Sequence, residues 1–192
     1  MSTVLVSNID ASSFTNGVVD FSPRLTYPGT IIQTRTLRVD TRTTYSSLDT
    51  GNGTTVAVLG ISITPIYASS RLIVQWMING ECNNDNGFLI HRDGALITTT
   101  GEEGYNNQGG NVRWSCYTPG YYDRNDDSTG INWNIFYSCA AGSTTARTYA
   151  PAVRATGSGS HTFALNRTLG DGTQNYYESM VSFALIHEVC NQ

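Results

Sequence analysis

The sequence predicts an all-β protein: an antiparallel β-sandwich of jelly-roll type, preceded by an extended N-terminal arm. Three observations point there. Short runs of Thr, Val, Ile and aromatic residues, which suit a pleated surface, recur about every dozen residues. Clusters of Gly, Asn, Ser and Asp, the residues of tight turns, separate them. Nowhere do apolar residues recur at helical spacing for long enough to require an α-helix. The chain has 192 residues, 39% of them apolar, enough for one domain with a real core.

Residues 1–29 read as the arm. Val4-Leu5-Val6 is a short apolar run, but Ser12, Ser13, Asn16, Gly17, Pro23 and Pro28 break any regular element beyond it. The sandwich domain is placed at 30–192. Strands are predicted at 32–41, rich in Thr, Leu and Val, and at 54–64, ending at Pro65. Leu72, Val74, Trp76 and Ile78 alternate and share one face. Residues 87–92 and 95–100 flank Asp93-Gly94, the favoured pair for a two-residue hairpin turn because both positions need positive φ. After the polar stretch 101–110 come a strand at 112–117 and a loop, 118–130, dense in Tyr, Asp and Asn. Ile131, Trp133, Ile135 and Tyr137 alternate with Asn132, Asn134, Phe136 and Ser138. Shorter strands come next at 145–154 and 161–166, joined by a Gly157-Ser158-Gly159-Ser160 linker. The last, 177–189, alternates through Val181, Phe183, Leu185 and His187. Roughly eight to ten strands at this spacing imply two packed sheets or a barrel, with no repeat of solenoid or propeller length.

Formal net charge is -4, and the 11 basic residues are all Arg and scattered singly. A phosphate-binding surface needs several cations on one face, so no nucleic-acid partner is expected. Arg without Lys suits subunit contacts, since its planar fork meets carboxylates and aromatic faces; compositional drift explains it equally well. The first twenty residues lack a signal-peptide pattern, and no apolar run approaches the ~20 residues of a membrane-spanning helix. Folding in a cytosol without membrane insertion is therefore expected. Cys82, Cys116, Cys139 and Cys190 lie far apart with no CxxC pair, which favours reduced thiols over a disulfide framework or zinc site.

Three segments in order carry a family resemblance. Pro28-Gly29-Thr30-Ile31-Ile32-Gln33 leads into a Thr-rich strand. Ser62-Ile63-Thr64-Pro65 is followed by Ser69-Ser70-Arg71-Leu72-Ile73-Val74. Gly87-Phe88-Leu89-Ile90-His91-Arg92-Asp93-Gly94-Ala95-Leu96-Ile97 then makes the hairpin. Near the end, Asn166-Arg167-Thr168 and the strand 179–188 fit the same pattern. Over residues 28–190 the chain resembles the β-rich, jelly-roll-like domain of virion structural and tail-fibre proteins of tailed bacteriophages, cyanophages and other marine phages especially. The resemblance implies a homotrimer on the virion surface, assembled in the host cytoplasm, and supplies no catalytic residues. A fibre shaft would show heptads or a Gly-X-Y run, and neither occurs. A compact capsid decoration or head or tail appendage is therefore expected, docked on capsid or tail proteins through residues 1–29.

Candidate chemistry does not displace that non-enzymatic reading. His91, His161 and His187 lack metal-ligand or protease spacing and read as polar strand residues. Gly157 to Ser160 offers no strand-turn-helix elbow for a nucleophilic serine. Glu102-Glu103 and Asp126-Asp127 are adjacent pairs, whose side chains point apart in extended chain, so adjacency makes no glycosidase dyad; convergence of other carboxylates through the fold keeps a polysaccharide-degrading enzyme as a third, less favoured reading. Asp123, Asn125 and Asp127 have calcium-loop spacing, but Ser128 and Asn134 replace the required Gly and Glu. No metal or cofactor is expected. Tyr105, Tyr121, Tyr122, Tyr176 and Tyr177, beside Asn106, Asn107, Asp123 and Asn175, form the candidate binding set. Two readings fit it: subunit contacts, where Tyr is enriched, or a host polysaccharide stacked on the rings in a receptor module. Trp76, Trp114 and Trp133 fall in strands and are placed in the core. Asn166-Arg167-Thr168 matches the N-glycosylation pattern by chance occurrence.

Overall fold

The computed structural model describes residues 28–97, 130–157, 161–170 and 179–191, with the strand backbone of 14–15, 18–19 and 116–117. Two short strands, β1 (Phe14–Thr15) and β2 (Val18–Val19), pair antiparallel within the predicted arm. The sequence between them, Asn16-Gly17, is a favoured hairpin dipeptide.

The sandwich uses eight strand positions, several of them split in two. Position one is β3 (Ile31–Val39) with β4 (Thr43–Ser46); position two is β5 (Thr54–Thr55) with β6 (Ile61–Ile63). Position three is β7 (Arg71–Cys82), four is β8 (Asn86–Arg92), and five is β9 (Ala95–Leu96) with β10 (Cys116–Tyr117). Position six is β11 (Ile131–Ala140), seven is β12 (Arg147–Ala155), and eight is β13 (Thr162–Leu165) with β14 (Ser182–Val189).

Pairing obeys one rule. One pairs with eight (β3 with β14, β4 with β13), two with seven (β5 and β6 with β12), three with six (β7 with β11), and four with five (β8 with β9 and β10), all antiparallel. The chain is thus a ribbon folded in half at Asp93-Gly94. Eight then lies against three (β14 and β13 along β7) and seven against four (β12 beside β8), which rolls the ribbon into two sheets. The first sheet reads one-eight-three-six and the second two-seven-four-five. That winding is a jelly roll, as the sequence predicts. At the fold point Asp93 and Gly94 take φ 53 and 81, the two positive values an Asp-Gly hairpin turn requires.

Between the sheets lie Leu72, Val74, Trp76 and Ile78 of β7 and Trp133, Ile135 and Tyr137 of β11, all buried on the predicted faces. Phe88, Trp133 and Phe163 pack with ring centroids 5.4–5.8 Å apart. Gly80 allows this closeness, because a Cβ there would sit 2.8 Å from the Phe163 ring and collide with the Ala164 carbonyl. Trp114 lies outside the described residues.

Two expectations need correction. The strand expected at 54–64 is broken into β5, a 3-10 turn at Ala57–Leu59, and β6. Pro151 of β12 is the cause: it lies between the stretches paired with β5 and β6 and has no N–H to offer a neighbour. The edge chain detours there, held by Val56 N–H to the Pro151 carbonyl at 2.9 Å and by the Trp76 indole to the Leu59 carbonyl at 3.0 Å. The second concerns β14, which alternates as expected but turns Phe183 and Leu185 outward and only Ile186 of its large apolar side chains inward. Ser182, Ala184, Ile186 and Glu188 face in, while Phe183 is exposed. Ala184 is the registered neighbour of Trp76, whose bulk leaves room for little else.

Candidate functional site

The eight residues singled out for binding, Tyr105, Asn106, Asn107, Tyr121, Tyr122, Asp123, Tyr176 and Tyr177, lie outside the described residues, as do the acidic pairs and the calcium-like loop. The histidines are described, and each has a structural task. Buried His91 reaches Thr55 Oγ1 through Nδ1 at 2.7 Å and the Asn52 carbonyl through Nε2 at 2.9 Å, pinning the 49–55 loop to β8. His161, also buried, meets Asn86 Oδ1 at 3.1 Å. His187 meets Thr34 Oγ1 at 2.8 Å across the β14–β3 pair. Among the described residues no three His, Cys, Asp or Glu side chains converge as a metal-holding group, and no helix is long and apolar enough to cross a membrane. Cys82, Cys139 and Cys190 are free thiols.

Asn166 does not sit as a glycan acceptor. Its side chain is fully buried; Nδ2 donates to the carbonyls of Val39 and Thr41 at 2.8 and 3.0 Å, and Oδ1 accepts from Ser182 Oγ at 2.6 Å. Glu188 is the second buried polar hub. Its carboxylate accepts from Gln33 Nε2 at 2.6 Å and from the Ile66 and Tyr67 amides at 2.9 Å, fixing the β6–β7 loop onto β14. Register sets Gln33 directly opposite Glu188, and a bulge follows before Val189 pairs with Ile31. Burial is the largest single influence on this carboxyl and works to raise its pKa. Hydrogen bonds from Gln33, Tyr67, Ile66 and Ser70 together outweigh it and leave the pKa below its ordinary value.

The surface feature that stands out is the outer face of the first sheet. Register places Arg38, Phe183, Met77 and Asn134 in one row across β3, β14, β7 and β11. Thr36, Leu185, Gln75 and Phe136 form the next row, and Thr34, His187, Ile73 and Ser138 the one after. Phe136 is 60% exposed, Phe183 40% and Met77 37%. They border a groove of ≈ 280 Å³ floored by the sheet, with Gln75, Asn134 and Leu185 completing its walls. No carboxylate stands in these rows. The cation Arg38 is ion-paired at 2.6 Å with Asp40 of its own chain segment. Beside the groove the amides chain together: Asn134 Nδ2 donates to Asn132 Oδ1, Asn132 Nδ2 to Asn79 Oδ1, and Asn79 Nδ2 to the Val181 carbonyl, at 2.6–2.9 Å. The second sheet differs, since Leu89, His91, Ala150 and Ala152 on the opposite side of β8 and β12 from the core are buried. Alternation already sets Phe136 and Met77 on the faces opposite the core, but which outward side chains of neighbouring strands meet depends on register, which sequence does not give.

No protein-family model matches the chain, and no curated protein matches it. Solved structures give a weak likeness. A structure of infectious bursal disease virus, Gt strain, matches at 13% identity and TM-score 0.39, over 84% of this chain and 39% of the other. The infectious bursal disease virus VP2 subviral particle matches at 12% identity and TM-score 0.34, over 84% and 38%. The chain therefore spans about two fifths of the length of each of these virus proteins.

Proposed function

We propose that the protein is a non-enzymatic structural component of a phage particle: a short homotrimeric surface appendage, anchored to capsid or tail proteins by residues 1–29. The observation that supports this most is where the resemblance-bearing segments fall. Residues 28–33, 62–65, 69–74 and 87–97 supply strand positions one to five in order, and 166–168 with 179–188 belong to position eight. The segments that resemble phage virion domains thus supply six of the eight strand positions of the roll, all but six and seven. The buried polar groups fit the same reading, since His91, His161, Asn166 and Glu188 hold strands and loops together.

The experiment is to produce the chain in cells assembling the particle, purify the particles and detect the protein on them by immunogold labelling and mass spectrometry. Full-length protein is expected on the surface; its absence from purified particles overturns the structural reading. Removing residues 1–27 is expected to abolish incorporation while leaving the circular-dichroism spectrum of a folded sandwich. Normal incorporation of the truncated chain would refute anchoring by the arm.

A further inference from the structure

We infer that the outer face of the first sheet, centred on Phe136, Met77 and Phe183, is the surface by which copies of this chain bind one another. The inference rests on the self-assembly part of the proposed function and not on the particle.

A second copy is the occupant for four reasons. The first is charge. A surface that meets its own copy repeats every charge it carries, so like charges facing each other must be avoided. The three central rows hold no carboxylate, and their Arg38 is already neutralised by Asp40. The second is the state of the polar groups. Asn79, Asn132 and Asn134 each commit an amide donor within the chain of hydrogen bonds beside the groove. That lowers the cost of removing them from water and leaves fewer donors for sugar hydroxyls.

The third reason is area. With the flanking rows included, one of which carries Arg71, four strands at ~4.8 Å spacing by ten residues at ~3.3 Å give roughly 600 Å² of flat sheet, to which side-chain relief adds. Stable interfaces bury about 800 Å² per partner, so the face is of the right size. The fourth is the direction of β14. Its Phe183 and Leu185 point away from the core, while Ala184 packs inward against Trp76. Exposed Phe beside Met is the composition of an interface centre. Three copies can turn this face toward a common axis, and two can stack it face to face.

The test uses the purified full-length chain alone. Mass is measured by light scattering over a concentration series reaching roughly 100 µM, where a micromolar contact is saturated. Wild type is expected at two or three times 20.9 kDa. Phe136→Arg and Gln75→Arg, both at exposed positions, are expected to fall to one chain mass with unchanged circular dichroism and thermal transition. Gln75→Arg replaces one polar side chain by another, so it preserves the test if Phe136→Arg fails to fold. A monomeric wild type across the series overturns the inference. So does retention of the oligomer by both folded variants, or its loss on removal of residues 1–27 alone. Saturable binding of a polysaccharide by monomeric wild type, abolished in Phe136→Arg, would assign the face to a glycan instead. None of these outcomes depends on whether the protein is found on particles.

Discussion

The amide of Asn166 reaches the carbonyls of Val39 and Thr41 while its backbone sits at φ 56, a left-handed conformation that Asn tolerates better than most residues. It thereby ties the corner between β3 and β4 to the end of β13, and through Ser182 to β14. Asn166→Ala leaves buried acceptors unpaired in a strained backbone, and a loss of about 2–4 kcal/mol is expected from chemical denaturation. Asn166→Asp should cost more, because a carboxylate would face two carbonyl oxygens. Glu188 makes a pH-dependent counterpart. Its pKa is lower folded than unfolded, so the carboxylate stabilises the protein above its ordinary value of 4.5, and that contribution is lost as pH falls through the lowered one. Glu188→Gln is expected to lower stability at pH 7 by about 1.5–3 kcal/mol, the worth of hydrogen bonds to a charged acceptor. The gap between wild type and variant should then narrow below the ordinary value of 4.5; urea midpoints at neutral pH and in acid well below that value measure it. A gap that is constant with pH would show that Glu188 has the same pKa folded and unfolded. Burial pushes the Cys82 thiol up to about 12, so its alkylation in the native state is expected to be much slower than in urea.

Strands are legible where alternation and a turn signal agree. β7 and β11 need only period-two patterning, because one face of each is packed and the pleat fixes the other, while β8, buried on both faces, is legible from its apolar run and Asp93-Gly94. Two features are illegible for nameable reasons. The break between β5 and β6 is imposed by Pro151, far downstream in the chain, so no local reading of 54–64 could reveal it. The orientation of β14 depends on Trp76 claiming the space opposite Ala184, again a contact distant in sequence. The candidate site is less legible still: Tyr and Asn in loops stand out by composition, while Phe136, Met77 and Phe183 come together only through the register of three strands. At the turn a clean test exists. Gly94 has φ 81 and open space where a Cβ would stand. Gly94→Ala should therefore cost about 1–2 kcal/mol from backbone conformation alone, with no packing change. A thermal midpoint indistinguishable from wild type would show that the turn adopts another conformation.

The winding of the whole molecule sets how it must fold. Positions four and five meet across two turn residues, whereas one and eight join Ile31 to Val189. Closing that last pair costs far more chain entropy than closing the first, and it also completes the first sheet by placing β14 between β3 and β7. Folding is accordingly expected on the milliseconds-to-seconds scale of sandwiches dominated by distant pairings. Stopped-flow fluorescence can follow it through Trp76 and Trp133, both buried between the sheets. The same geometry orders the events. The Asp93-Gly94 hairpin is the cheapest pairing to form, so it belongs to the early structure, while the Asn166 corner forms when position eight docks. Gly94→Ala should then mainly slow folding and leave unfolding nearly unchanged. Asn166→Ala should mainly speed unfolding. The reverse assignment of the two rate effects would mean that the roll closes from its open end, with β14 seated on β3 and β7 before the ribbon is folded at its midpoint.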